Sequence, residues 1–292
     1  MEFKGKKALV CGMARSGVSA AELLKRLGCH VTLQDLKKRE EVEGAEALER
    51  QGIRLYLGKN PDGIVKDFDF IVLSPGIPCD LPFMNEAKEA GVPVISEVEL
   101  SYVLTPCPVM AVTGTNGKTT TTTLAGEMVK TQYKNAAVVG NIGVPYSSVV
   151  EGLTNEDYVV AEISSFQLET IDSFKPHISA VLNITPDHLN RHKTLENYIK
   201  MKERVFENQT EDDFCVLNYD DETTRKMAEK TRANVVFFSS SQIVENGIYL
   251  KDGDIIVNFG GHKGKLISTK DLKILGVHNY ENVMAASAMA LC

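Results

Sequence analysis

Short apolar runs, each followed by a glycine turn or an amphipathic stretch, recur along the whole chain. Residues 7–11 (KALVC) predict a buried strand, and the turn GMARSG after them leads into a stretch with apolar positions at helical spacing. A second strand over 29–33 runs out to Asp35. The pattern then predicts a helix over 44–51, strands over 53–57 and 69–73, a helix over 82–90, a strand over 92–95 and a helix over 97–103. Thr105-Pro106-Cys107-Pro108 breaks that last helix and places a domain boundary, giving domains 1–104 and 105–292. Beyond it, apolar runs predict strands at 109–112, 136–139, 158–163, 178–182, 214–217 and 235–238, with a hairpin around Asp252-Gly253. A helix is expected over 194–208, and another in LGVHNYENVMAASAMALC, with Val283, Ala286 and Ala290 on one face.

The stretch VMAVTGTNGKTTTTTLAGE carries the clearest chemistry. An apolar strand stops at Thr113-Gly114, and a helix opens at Lys118, so the helix amino terminus points back at a turn of bare backbone. Free N–H groups and the helix dipole favour an anion there. Lys118 adds a point charge for the β- and γ-phosphates of a nucleoside triphosphate, and the Thr119 hydroxyl is placed for a phosphate-bridging Mg²⁺. Gly114 and Gly117 enclose two residues where the usual phosphate loop has four, so the loop is a shortened variant. A plain strand-to-helix turn with a solvated lysine is the alternative. The fold class expected is α/β, a Rossmann-like N-terminal domain followed by a P-loop-type central ATPase domain.

In the first domain, Gly12 and Gly17 hold the outer glycine places of a dinucleotide fingerprint, but Ala14 takes the middle one. Its methyl group hinders close approach of a pyrophosphate, which argues against NAD. Asp35 stands where a nucleotide ribose or base edge is read, and Ser74-Pro75-Gly76 forces a turn at the carboxyl end of a strand, the ligand edge of open α/β sheets.

Three residues of the second domain attract attention. Glu162 ends the apolar run YVVAEI, where a carboxylate is costly unless paired or bound to metal; a salt-bridged strand end is the alternative. His188 lies in TPDHLNRH, a dense polar run after a core strand, and could bind a metal or simply be solvated. Lys202 falls within an apolar helical arc of Leu195, Tyr198, Met201, Val205 and Phe206. A buried lysine loses hydration and its pKa falls, leaving a neutral amine available to CO₂. Snorkelling to the surface is the ordinary alternative, and geometry alone favours it.

Composition narrows the functional classes. The chain has 292 residues, 43% hydrophobic and 24% charged, as in ordinary soluble globular proteins. A net charge of -7 disfavours nucleic acid as a partner. Six scattered cysteines without a C-x-x-C pair suit a reducing cytosol. With no signal-peptide core and no apolar run of membrane length, the expectation is a cytoplasmic protein with no membrane insertion.

GTNGKTT (114–120), Glu162 and His278-Asn279-Tyr280-Glu281-Asn282 together resemble the Mur ligase family, which includes the folylpolyglutamate synthases. EISSFQLE (162–169), TPDHLNRH and the GMARSG turn narrow that resemblance to the peptidoglycan branch. The resemblance covers the whole chain. It implies a third, carboxyl-terminal domain that nothing after Cys292 could form, so that turnover by this chain alone is not expected.

The resemblance implies an ATP- and Mg²⁺-dependent ligase. The carboxylate of UDP-N-acetylmuramoyl-L-alanine attacks the γ-phosphate, and D-glutamate, held mostly by the third domain, attacks the acyl phosphate. It implies nucleotide contacts at Gly114, Thr115, Asn116, Gly117, Lys118, Thr119, Thr120, His278 and Asn282. One Mg²⁺ falls to Thr119 and Glu162, and a second to His188 with Lys202 as a carbamate. Substrate contacts fall to Ser16, Asp35 and Gly76 for the UDP part, and to Asn141 and Ser164. A monomer is expected. The competing classes are another ligase of the same family, a Rossmann oxidoreductase, and a nucleotide-binding module without turnover.

Overall fold

The computed structural model describes residues 2–292. Two compact units divide the described residues: 2–105 with 144–152 and 166–174, and 106–143 with 153–165 and 175–292. The cut after Thr105 falls within the proline-rich break, but the units are not two uninterrupted stretches, because residues 144–152 and 166–174 pack with the first unit.

The first unit contains β1 (Lys7–Cys11), α1 (Arg15–Arg26), β2 (His30–Asp35), α2 (Ala45–Arg50), β3 (Arg54–Leu57), β4 (Phe70–Leu73), α3 (Pro82–Glu89), β5 (Val94–Ser96) and α4 (Glu97–Tyr102). Its five strands form a parallel sheet in the order β3-β2-β1-β4-β5. Ala8 to Cys11 and Phe70 to Leu73 are wholly buried, as strands covered on both faces must be. Right-handed crossovers from β1 through β3 put α1 and α2 on one face, and the reversal through β4 and β5 puts α3 on the other. There Phe83, Met84 and Ala87 of α3 pack on Leu9, Cys11, Ile71 and Leu73. The reversal between β1 and β4 opens a crevice at the carboxyl ends of the strands.

α1 can start directly above that crevice only because residue 17 is glycine: a Cβ there would lie 1.8 Å from the carbonyl oxygen of Gly12. Two buried glutamates of α4 hold the returning segments of this unit. Glu97 accepts from Ser147 N at 2.6 Å, and the two oxygens of Glu99 accept from the backbone N–H groups of Asp172, Ser173 and Phe174 at 2.8–2.9 Å.

The second unit contains β6 (Val109–Thr113), α5 (Lys118–Val129), β7 (Ala136–Gly140), β8 (Tyr158–Glu162), β9 (Ile178–Val181), α7 (Leu189–His192), α8 (Leu195–Glu203), β10 (Phe214–Asn218), α9 (Glu222–Met227), β11 (Asn234–Ser239), β12 (Gly247–Lys251), β13 (Asp254–Phe259), β14 (His262–Ser268) and α10 (Val277–Leu291), with a one-turn α6 (Ser165–Leu168) at its boundary. The nine-stranded sheet runs β14-β13-β12-β11-β10-β9-β6-β8-β7, parallel except for the β12-β13-β14 meander. The Asp252-Gly253 hairpin is present. Helices over 189–192 and 222–227 and strand β14 are additions to the sequence expectation; β14 (HKGKLIS) is largely polar, so no apolar run announces it.

Two helices differ from their expected pattern. Residues 282–289 of α10 are buried all round, because the helix is packed against both α5 and the sheet, while Ala290 is exposed rather than on the covered face. The helix expected over 194–208 ends at Glu203 and tightens into a 3₁₀ turn over Arg204–Phe206. Leu195, at its start, is 37% exposed, so the covered arc is carried by Tyr198, Lys202, Val205 and Phe206. Among the described residues no helix is long and apolar enough to cross a membrane.

Gly17→Ala is expected to lower stability by about 1–3 kcal/mol, since the new methyl meets backbone that cannot yield. Gly152→Ala, with open space around its Cβ position, should lie within about 0.5 kcal/mol of the parent. Urea midpoints of the two variants check this.

Candidate functional site

The switch of strand order beside β6 places its carboxyl end, and the loop 114–117, at the ligand edge of the second sheet. Gly117 caps α5 in the left-handed region at φ +85°, and a Cβ there would lie 2.2 Å from Asn282 Oδ1, so both backbone and space demand glycine. The loop is lashed to the residues following β9. Thr115 N donates to Asn183 O at 2.9 Å, Asn116 N donates to Asn183 Oδ1 at 2.8 Å, and Asn183 Nδ2 donates to Asn116 O at 3.1 Å. Thr115 Oγ1 exchanges hydrogen bonds with Thr185 and lies 3.1 Å from the Tyr198 hydroxyl. Thr120 follows on the half-buried side of α5, and Thr121 Oγ1 reaches Asn282 Oδ1 at 3.3 Å.

Glu162, at the end of β8, is 1% exposed. Its Oε2 accepts from Thr119 Oγ1 at 2.8 Å, and its Oε1 accepts from Asn141 Nδ2 at 2.8 Å. Among the described residues no salt bridge holds it, which sets aside the salt-bridged alternative. Ser164 is half-buried two residues on.

Lys202 does not snorkel. It is 2% exposed, and its Nζ donates to Gly114 O at 2.8 Å and to Thr113 Oγ1 at 3.1 Å, over the Tyr198 ring. Lys118 Nζ folds back on the same loop, donating to Gly114 O at 2.9 Å and Thr115 O at 2.8 Å. Burial, reinforced by the Lys118 charge, lowers the Lys202 pKa to about 7. Burial also lowers that of Lys118, against the pull of Glu162 and Asp187.

His188 stands apart from this buried group. It is half-exposed in a left-handed conformation, with Nε2 3.4 Å from Asp187 Oδ2. His192, four residues on, is buried; its Nε2 lies 2.9 Å from Ser165 Oγ and its ring against Tyr198. No group of three His, Cys, Asp or Glu side chains close enough to hold a metal occurs among the described residues. The oxygens of Thr119 and Glu162 are the converging donor pair.

His278, Glu281 and Asn282, on the first turns of α10, line a cavity of about 330 Å³ with Asn116, Gly117 and Phe238. Glu281 Oε1 accepts from Ser240 Oγ at 2.6 Å. In the first unit, Asp35 and Gly76 meet in a cleft of about 190 Å³ with Gly12 and Asn60, at the β1/β4 crevice. Asp35 is already engaged there, accepting from Met13 N at 2.7 Å and Lys37 N at 3.0 Å. Ser16 lies on α1 and does not line this cleft.

The site residues that the sequence reading did not assign are Asn183, Tyr198, Glu281 and Phe238. Asn183 lies in the polar run after β9 and Glu281 in the His278–Asn282 stretch, which gave signals for their regions; Tyr198 and Phe238 read as helix and core positions.

A parallel α/β sheet whose ligand edge holds a phosphate loop, a buried glutamate and a buried lysine has the features of a P-loop-type nucleotide-binding domain. Two family profiles match the sequence: the Mur ligase middle domain over residues 112–290, and the Mur ligase MurD-like N-terminal domain over residues 6–96. The chain belongs to the Mur ligase family. It is 46% identical over 294 residues to the UDP-N-acetylmuramoylalanine--D-glutamate ligase of Lachnoclostridium phytofermentans, covering 100% of this chain and 64% of that relative. To the enzyme of the same name from Clostridioides difficile it is 45% identical over 293 residues, 99% of this chain and 64% of that one. The chain thus spans 64% of the length of these curated relatives. Among solved structures, the UDP-N-acetylmuramate:L-alanyl-gamma-D-glutamyl-meso-diaminopimelate ligase from Neisseria meningitides superposes with a TM-score of 0.63 at 19% identity, covering 98% of this chain and 93% of that one. The UDP-N-acetylmuramate-alanine ligase from Thermotoga maritima gives 0.56 at 22% identity, covering 97% and 64%. Both share the fold.

The depressed pKa of Lys202 has a consequence for stability. The unfolded chain binds a proton at this lysine up to about pH 10.5, and the folded chain releases it at about 7. Between these values the unfolded state holds more protons, so this residue makes stability rise with pH; below about 7 both states are charged and the slope vanishes. Lys202→Met is expected to remove that slope, so its stability relative to the parent is greatest at pH 7 and falls towards pH 10. Urea denaturation at the two pH values measures it.

Proposed function

We propose that the chain supplies the nucleotide- and substrate-binding parts of an ATP-dependent ligase that joins D-glutamate to UDP-N-acetylmuramoyl-L-alanine in peptidoglycan precursor synthesis. The names of the relatives, at 44–46% identity, support the substrate pair. The observation that carries the chemistry is the buried Glu162 carboxylate, shared between Thr119 of the phosphate loop and Asn141.

In this reading the substrate carboxylate attacks the γ-phosphate of ATP, releasing ADP and forming an acyl phosphate. The amine of D-glutamate then adds to the acyl carbon. Collapse of the tetrahedral intermediate expels inorganic phosphate, and the amine nitrogen loses a proton. Such chemistry needs positioning and charge neutralisation more than covalent help from the protein. The N–H groups of Gly117 to Thr120 cradle the phosphates, and the Lys118 ammonium turns from the loop carbonyls onto the β- and γ-phosphates. His278 and Asn282 face the nucleoside in the cavity beside Gly117. Asn141 and Ser164 orient the muramoyl-alanine, and Ser16, Asp35 and Gly76 take the UDP part. No residue of either unit is assigned to D-glutamate.

Thr119 and Glu162 fit a Mg²⁺ ion. They offer two oxygens on one side and leave the remaining positions to water and phosphate, as this ion prefers. Its chemistry is neutralisation of charge on the phosphates. Lys202, its pKa lowered to about 7 and so part neutral at that pH, can add CO₂ with loss of one proton to give a carbamate; His188, exposed beside Asp187, would have to turn inward to join it in holding a second ion. The six cysteines form no disulfide among the described residues, which suits a reducing compartment, and we place the protein in the cytoplasm.

Calorimetric titration with UDP-N-acetylmuramoyl-L-alanine, using UDP-N-acetylmuramic acid and NAD⁺ as controls, tests the proposal. Tight binding of the alanyl compound and none of NAD⁺ is expected. Binding of ATP without the UDP substrate would leave a nucleotide-binding module and sink the ligase reading. Lys118→Ala is expected to weaken ATP binding about 10- to 100-fold, the worth of a charged hydrogen bond to phosphate, while leaving the UDP substrate unaffected.

A further inference from the structure

The first unit has a second concave surface, at the opposite end of its sheet from the Asp35 and Gly76 cleft. Because the β1-α1-β2-α2-β3 crossovers share one face, and α3 covers only β1, β4 and β5 on the other, that second face is open over β2 and β3. The residues there are polar, as an uncovered face allows. Lys7 pairs in register with His30, Thr32 with Arg54, and Gln34 with Tyr56, so all six side chains project from the same face. Gln34 is used to anchor the rim, donating from Nε2 to Lys59 O at 2.8 Å.

The amino-terminal part of this face is a cleft of about 510 Å³, its floor formed by Thr32 and its walls by Lys7, His30, Arg54, Tyr56 and Phe68. Among the described residues, none of the side chains of Lys7, His30 or Arg54 has an ion-pair or hydrogen-bond partner. Lys25 adds a fourth basic group at the margin, its Nζ lying 2.9 Å from where a Cβ of Gly52 would stand, and Gly52 lines the cleft. Against these stands one lining carboxylate, Asp67. Asp69, just beyond, is occupied by Lys7 N at 2.7 Å and lies 3.9 Å from Lys6 Nζ. In a chain of net charge -7, unpaired cations gathered in one concavity mark a place for an anion.

We propose that this cleft binds a phosphorylated small molecule, with the phosphate held by Lys7, His30 and Arg54. A phosphate group carries close to two charges and three acceptor oxygens, which matches a lysine, an arginine fork and a ring N–H reaching it from adjacent strands. Tyr56 and Phe68 give the remainder of the ligand a ring to lie against, and Asp67 accepts from a hydroxyl or amino group there. Strand rise places the amino-terminal cleft about 17 Å from the Gly12 turn, five residues along β1, so the two ends of the sheet hold separate ligands.

The test is a low-salt calorimetric titration of the full chain carrying Lys118→Ala, which weakens the phosphate loop as a competing site. The probes are inorganic pyrophosphate and ADP. A pyrophosphate site is expected whose affinity is at least tenfold weaker when Lys7→Gln and Arg54→Gln are added, and falls with added salt. ADP binding more tightly than pyrophosphate identifies a nucleoside phosphate as the ligand; equal binding identifies the phosphate alone. No binding to Lys118→Ala, or binding untouched by Lys7→Gln and Arg54→Gln, overturns the proposal, and neither result bears on the phosphate loop. Should Lys118→Ala fail to fold, the parent chain serves: Lys7→Gln with Arg54→Gln is expected to lower the number of pyrophosphate sites by one, and an unchanged count overturns the proposal.

Discussion

A carboxylate buried at the end of a parallel strand governs the arrangement of the second unit. Glu162 is 1% exposed, and removing its charge from water is costly unless every oxygen is met. Its two oxygens are met from opposite sides, by Thr119 at the start of α5 and by Asn141 after β7. That requirement fixes the first turn of α5 against β8, and so fixes the loop between β6 and α5. Thr113 Oγ1, donating to Ile163 O at 2.8 Å, ties the same two strands one residue further on.

The loop carries a second constraint. Lys118 and Lys202 both donate to the carbonyl oxygen of Gly114, at 2.9 and 2.8 Å. Two full positive charges on one carbonyl in a buried setting repel each other strongly. The conflict is resolved by unequal burial: Lys202 is enclosed by Tyr198 and the loop, with a pKa lowered to about 7, whereas Lys118 stays half-buried near Glu162 and Asp187. Burial lowers both pKa values, and that of the more enclosed Lys202 reaches about 7. This difference comes from packing, since the two side chains are chemically identical.

Much of this architecture was legible in the sequence because parallel strands buried on both faces write themselves as unbroken apolar runs. KALVC, FIVL and YVVAE all fall within a residue of their expected bounds. The phosphate loop was legible for the same reason, since glycine, lysine and threonine at that spacing have local causes. What escaped depended on partners far away in the chain. β14 is polar and exists because β13 offers it an edge. Whether Lys202 is buried or snorkels was decided by Gly114 O, 88 residues away, which the helical periodicity of α8 could not supply. Asn183 holds Asn116 across 67 residues, and only its place in a polar run hinted at a role.

Helix α10 shows how far a periodicity argument extends. Its one-sided arc of Val283, Ala286 and Ala290 assumed a helix with a wet face, yet residues 282–289 are enclosed by α5 as well as by the sheet. The small side chains of AASAMA are what permit that double contact, since a helix crowded on two sides needs short residues for close approach. The enclosure has a chemical result: with the rest of the helix clamped, Asn282 on its second turn is held against Gly117, where no side chain would fit, and the cavity beside the phosphate loop has a fixed wall. The same packing that the composition of the helix allows is what sets the position of a polar side chain at the ligand edge.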